Sequence, residues 1–206
     1  MILEQELKLI VNSAEKLDLT RLSWPQACQQ GQVETLHLIS VYYDTPELDL
    51  SRQKVGLRLR KSNQQWLQTV KTSGTVSQGL HQREEWEHEL VDTQWDLEKL
   101  RQTPLAKIID DTDCWAKVAP LFTTDFIRET IQLTQEDGSQ IELAYDRGHV
   151  SVDDEQVIIH EIELELKSGN VEQLSVVAAL LNEQLDVQAS DCSKAKQGYQ
   201  LVAKNA

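Results

Sequence analysis

The stretch Glu4-Gln5-Glu6-Leu7-Lys8 carries the first side chains whose types and spacing could do chemistry. In an extended strand successive side chains alternate faces, so Glu4, Glu6 and Lys8 share one side while Leu3, Leu7 and Leu9 take the other. Near the far end, Glu161-Ile162-Glu163-Leu164-Glu165-Leu166-Lys167 repeats the pattern, with acids and a lysine in front and branched aliphatics behind. Set side by side with charged faces aligned, the two strands crowd carboxylates together, which is costly unless cations offset the repulsion. Oxygen-only donors of this kind suit Mg²⁺, Mn²⁺ or Ca²⁺ rather than zinc. Either strand read alone is equally a solvated face laced with ion pairs, and it is the recurrence that argues for a shared site.

Basic residues occupy matching positions on other segments. Val55-Gly56-Leu57-Arg58-Leu59-Arg60-Lys61 alternates strictly, with Arg58 and Arg60 on one face. Trp66 to Lys71 returns after Ser62-Asn63 as the second arm of a hairpin, with Leu67, Thr69 and Lys71 together. Arg83 aligns with Glu85, Glu87 and Glu89 on a further strand, and the strand from Phe126 to Thr134 carries Arg128. Lys8, Arg58, Arg60, Lys71, Arg83 and Arg128 could together hold a polyanion, while metal ions bridge its remaining oxygens to Glu4, Glu6, Glu163 and Glu165.

These residues need a frame. Asn12 to Leu22 is read as a helix or helix-turn ending before Pro25, and Glu34 to Tyr43 as a strand closed by Asp44-Thr45-Pro46. Thr72 to Gly79 is read as a loop, and Asp92 to Leu121 as two short helices stopped by Pro120. Glu136-Asp137-Gly138-Ser139 marks a hairpin leading into Gln140 to Asp146, after which Arg147-Gly148 is expected to turn the chain again. A strand from Val157 breaks at Ser168-Gly169-Asn170, a helix follows from Val171 to Leu185, and Ser190 to Tyr199 reads as a polar tail.

About eight strands in hairpin order with interspersed helices imply an α+β protein built on a closed or nearly closed antiparallel barrel. Small barrels ordinarily have apolar lumens, which would turn every named acid and arginine outward. The Val171 to Leu185 helix, with Val171, Leu174, Ala178, Leu181 and Leu185 at helical spacing, needs an apolar surface to cover. That requirement turns the leucines out and the charges in.

Composition narrows the function classes. A net charge of −14 argues against a nucleic-acid surface or an anionic membrane partner. No apolar run approaches the roughly 20 residues of a membrane span and no signal-peptide pattern appears, so a cytoplasmic location is the expectation. Cys28, Cys114 and Cys192 form no CxxC pair and fit a reducing compartment. Without repeats or linkers, residues 1–206 read as a single domain. Oligomeric state is not legible.

The whole pattern resembles the CYTH superfamily, the triphosphate tunnel metalloenzymes. Glu4-Gln5-Glu6-Leu7-Lys8 is similar to their ExExK signature. The likeness continues through Tyr43-Asp44-Thr45, Leu57-Arg58-Leu59-Arg60, Lys71, Arg83-Glu84-Glu85, Arg128, Asp146, Glu161 to Leu166 and Ser193-Lys194. It implies an eight-stranded antiparallel tunnel binding a triphosphate-containing small molecule. Lys8, Arg58, Arg60, Lys71, Arg83, Arg128 and Lys194 would hold phosphates, and Glu4, Glu6, Asp146, Glu163 and Glu165 would hold Mg²⁺ or Mn²⁺. Glu85 and Glu161 fit the acidic pattern either as metal ligands or as partners of an arginine. Lys54, Arg147, Lys167 and Lys196 are not carried over, and His81 is expected at the surface or rim.

Gly79-Leu80-His81-Gln82-Arg83 and the late acidic strand look most like the bacterial inorganic triphosphatases. Those often carry a helical CHAD domain after the tunnel, so this chain reads either as a tunnel-only protein or as part of a longer one. The reaction implied is metal-dependent hydrolysis of tripolyphosphate to diphosphate and phosphate, with Glu4, Glu6, Lys8, Glu163 and Glu165 at the reacting centre. An adenylate cyclase, a nucleoside or thiamine triphosphatase, and a polyphosphate-binding module without turnover remain alternatives.

Overall fold

The computed structural model describes residues 1–26 and 28–205. Segments with two-residue alternation become the strands β1 (Ile2–Val11), β2 (Glu34–Asp44), β3 (Val55–Ser62), β4 (Gln65–Thr72), β5 (Leu80–Leu90), β6 (Ala119–Thr134), β7 (Gln140–Val152) and β8 (Glu155–Ser168). They close an eight-stranded antiparallel barrel in the order β1-β8-β7-β6-β2-β3-β4-β5 and back to β1. β1 seals the seam: Glu6 lies opposite Glu165 and Lys8 opposite Glu163 on one flank, and Glu4 lies opposite Arg83 on the other. The two acidic strands are therefore neighbours, as their shared pattern implies.

Among the described residues, six α-helices decorate this frame: α1 (Asp49–Arg52), α2 (Leu97–Leu100), α3 (Ala106–Asp110), α4 (Thr112–Trp115), α5 (Glu172–Asn182) and α6 (Lys194–Asn205). Leu7, Leu9, Leu133, Ile141, Leu143, Ile162 and Leu164 face outward and pack under Leu174, Val177 and Leu181 of α5. A second outer layer joins Leu57 and Val70 to Leu50, Leu100, Leu105, Ile108 and Ile109. Each such fully buried aliphatic contributes roughly 1.5–3 kcal/mol, so the covering helices hold the leucines outward and leave the lumen to the charges.

Part of the lumen is nevertheless apolar. Leu38, Tyr42, Phe122, Phe126, Val150 and Ile159 project inward and meet Leu201 of α6. The supposed polar tail is this helix, entering the barrel with Lys194, Gly198 and Leu201 buried. Gly198 is needed there because an added Cβ would lie 2.2 Å from the Phe122 ring.

Four further local readings are corrected. Asn12 to Leu22 forms only a 3₁₀ turn, Leu19–Arg21, capped by the Asp18 carboxylate; its leucines still pack on the outer layer. The helical stretch after Asp92 makes three short helices, and the chain enters β6 at Ala119, so Leu121 is in strand. Pro120 sits opposite Tyr43, where the register shifts and the ladder is already interrupted. Thr75–Ser77 is not loop but folds back on Leu80 to Gln82 through Gln78 and Gly79, both at positive φ. β7 runs straight through Arg147-Gly148 and turns at Asp153 instead, with φ +48°. Gly148 permits close approach of β6, since a Cβ there would stand 2.1 Å from the Asp125 carbonyl oxygen.

Candidate active site

The barrel encloses a cavity of about 1030 Å³, lined among others by Glu4, Glu6, Lys8, Arg58, Arg60, Lys71, Arg83, Arg128, Glu163, Glu165 and Lys194. Strand alternation alone brings these side chains to one surface. What differs is how each is neutralised.

On the β1 side the charges are matched closely. Glu4 accepts from Lys71 Nζ at 2.7 Å and from Arg83 Nε at 2.6 Å, while Arg83 Nη2 donates to Glu6 at 2.8 Å. Burial by itself would raise the Glu4 pKa, but Lys71 and Arg83 outweigh it and hold the carboxyl far below its usual range. Lys8 Nζ donates to Glu161 at 2.7 Å and also to Glu163. Lys194, delivered by α6, donates to Asp146 at 2.6 Å and Glu163 at 2.9 Å and also contacts Glu161. Arg128 forks onto both Asp146 oxygens at 2.7 Å and reaches Glu163. For Glu163, burial is again outweighed, here by Lys194, Lys8 and Arg128, and the carboxyl stays well below its ordinary value.

On the β3 side the matching is loose. Arg58 approaches Glu85 and Glu87 only at 3.6 and 3.7 Å, and its Nε has no hydrogen-bond partner among the described residues. Arg60 donates Nε to Ser40 Oγ at 2.9 Å and lies 6.0 Å from the Phe126 ring centroid. Among the described residues it has no ion pair. Burial, with repulsion from Arg58 and Arg128, brings its pKa down to about 10. A half-buried cation left this way is costly until an anion arrives.

Acidic residues crowd together in two places. Asp146, Glu161 and Glu163 each bring an oxygen within 4.8 Å of the others, a cluster able to coordinate a metal, though each already accepts from Lys8, Lys194 or Arg128. Glu6 and Glu165 face each other across the β1–β8 pair. The Glu165 carboxyl is raised, first by burial, with Glu4 and Glu142 adding repulsion that outlasts its 2.8 Å bond to Lys167. Like-charge crowding of this kind is what a bound cation relieves.

The sequence-derived residues thus converge on one cavity, except that Glu161 and Asp146 lie buried behind it as partners of the basic groups. Glu85 likewise holds Lys71 at 3.0 Å. Arg147 lies outside, in a shallow pocket with Lys16 and Glu129. Sequence reasoning missed others. His81 is 2% exposed, on the lumen side, against the Ser190 carbonyl at 3.1 Å, not at the surface. Lys54, Lys167, Lys196, Tyr42, Glu87 and Glu142 also line the cavity. The alternation that selected Glu85 also selects Glu87, and the one that selects Asp146 also selects Glu142.

An eight-stranded barrel with this charged interior defines a tunnel protein. The CYTH domain model matches residues 3–199, and the chain belongs to that family. An inorganic triphosphatase of Haemophilus influenzae is 35% identical over 209 residues, covering 99% of this chain and 56% of the relative, so this chain spans about half of that protein's length. Among solved structures, a Hippeastrum protein described as an adenylyl cyclase candidate with a dominant triphosphatase activity superposes with a TM-score of 0.61 at 18% identity, covering 98% of this chain and 96% of its own. An adenylate cyclase candidate from Vibrio parahaemolyticus gives 0.53 at 16%, covering 98% of each chain. The PH1819 protein of Pyrococcus horikoshii also gives 0.53 at 16%, covering 98% and 99%. At these identities the structural likeness establishes the fold.

Proposed function

We propose that this chain is a metal-dependent inorganic triphosphatase that cleaves tripolyphosphate to phosphate and diphosphate within the tunnel. The observation that carries the reading is the loosely matched Arg58 and Arg60 facing an acidic wall across an enclosed cavity. Arg58, Arg60 and Lys71 grip phosphate oxygens, and Arg83, Arg128, Lys8 and Lys194 extend the positive surface across the lumen. Glu4, Glu6, Glu163 and Glu165 would hold Mg²⁺ or Mn²⁺, which when bound supplies positive charge against the phosphates and acidifies water.

The chain's own residues do the positioning. Phosphate held between the two walls exposes its terminal phosphorus for in-line attack by water. Covalent catalysis has less support: Cys28, Cys114 and Cys192 are absent from the cavity wall, and His81 is engaged by the Ser190 carbonyl. A nucleotide is less favoured because the apolar section of the lumen is filled by Phe122, Phe126 and Leu201 and leaves no room there for a base.

Release of phosphate from tripolyphosphate, ATP and thiamine triphosphate with each of Mg²⁺ and Mn²⁺ tests the reading, with cyclic AMP followed in parallel. Tripolyphosphate should be the preferred substrate. Tight tripolyphosphate binding without phosphate release at any metal concentration would make the tunnel a binding module, and cyclic AMP from ATP would make it a cyclase.

A further inference from the structure

We infer that Lys167 is a tethered counter-cation that competes with the divalent metal for Glu165, so that metal binding on this side of the tunnel exchanges one cation for another. The inference rests on the triphosphatase reading, in which Glu165 is one of the metal-holding acids. Lys167 is then a positioning residue that sets metal affinity from inside the cavity wall.

Three carboxylates stand in one row across three neighbouring strands: Glu6 of β1 lies opposite Glu165 of β8, and Glu165 lies opposite Glu142 of β7. All three line the cavity. Like charges directly opposed in this way are destabilising unless cations sit among them. Arg83 serves Glu6 at 2.8 Å but is shared with Glu4. Lys167, two residues beyond Glu165 on the same strand face, bridges Glu165 at 2.8 Å and Glu142 at 3.4 Å. Gln132 adds only a neutral hydrogen bond to Glu142, at 2.7 Å. The row therefore sets three negative charges against two positive ones.

Of the cavity cations paired with carboxylates, Lys167 is the one that can leave. The side chains of Lys8, Lys194 and Arg128 are 1%, 8% and 14% exposed, whereas that of Lys167 is 39% exposed. Withdrawing one of the first three would strand a charge in the interior. Lys167 carries its ammonium on a flexible four-carbon stem and can swing it into water at little cost. A divalent ion brings two charges where the lysine supplies one. The ammonium and the ion repel each other, so occupancy of Glu165 by either disfavours the other.

Calorimetric titration of Mn²⁺ into the ligand-free protein tests this, at about 0.15 M salt, where charges more than about 8 Å away are largely screened. Lys167→Met should bind Mn²⁺ about 5- to 10-fold more tightly than wild type, and Lys167→Arg, which keeps the positive charge, no more tightly than wild type. With Glu165→Gln already in place, Lys167→Met should change the dissociation constant by less than about twofold. Unchanged or weaker binding by Lys167→Met, or the same gain in the Glu165→Gln background, overturns this proposal alone. A wild type that binds no Mn²⁺ overturns the metal-dependent reading as well.

Discussion

Along β1, β8, β7 and β6, the lumen-facing Lys8, Arg128 and Lys167 each meet a carboxylate within hydrogen-bond reach, and Lys194 of α6 is drawn into the same network. Along β2 and β3, only a few ångströms around the same barrel, Arg58 and Arg60 are left with long contacts, a serine, a tyrosine and an aromatic face. The first wall uses its charges on itself and so becomes a rigid scaffold. The second leaves Arg60 without a carboxylate among the described residues and Arg58 with two only at long range, at an energetic cost that a bound anion removes. Binding capacity in this lumen is therefore read from where neutralisation is incomplete, and not from where charge is densest.

Mutations can break that contrast. The largest effect is expected from Glu4→Ala or Glu6→Ala, which should reduce phosphate release by about 10³-fold or more while circular dichroism still reports a folded barrel. Undiminished turnover in either variant would remove the acidic wall from the chemistry. Next, Lys194→Met should lower unfolding free energy by about 3–5 kcal/mol in urea, because it leaves Asp146, Glu161 and Glu163 short of a buried partner.

Arg60→Met should act in the opposite direction on stability. It removes a cation whose pKa burial and neighbouring arginines have brought down to about 10, so the ligand-free melting temperature should rise by about 2–4 °C. The same variant should weaken tripolyphosphate binding by about 10- to 100-fold in calorimetry. A fall in melting temperature would show that Arg60 belongs to the scaffold after all.

The smallest effect concerns acid. Burial alone would raise Glu4 and Glu163, but their cationic neighbours hold both below the ordinary carboxylate value. The stability they contribute is complete above the unfolded glutamate pKa of about 4.3 and is lost as pH falls through the lower folded values. Scanning calorimetry should find this contribution level from neutrality to about pH 5 and declining below about pH 4. A decline beginning near neutrality would contradict the depressed carboxyls.

Much of this was legible in local pattern. Two-residue alternation identifies β1, β3 and β8 and assigns Glu4, Glu6, Arg58, Arg60, Glu163 and Glu165 to single faces, because that periodicity is a property of each strand by itself. The α6 helix was not legible in that way: its buried stripe reads Lys194, Gly198, Leu201, which matches no apolar repeat. A lysine becomes interior there only because Asp146, Glu161 and Glu163 arrive from strands distant in sequence. Gly148 misled for a related reason, since its small size serves the neighbouring β6 backbone rather than a turn.

By itself the sequence determined which residues share a face and that the greasy faces needed covering, since alternation and helix spacing are local and survive any tertiary arrangement. Only the closed barrel decided which acids meet which bases, that α6 fills one section of the lumen, and that Arg58 and Arg60 are left loosely matched. Those outcomes follow from inter-strand register, and register is set by long-range pairing that no short window of sequence contains.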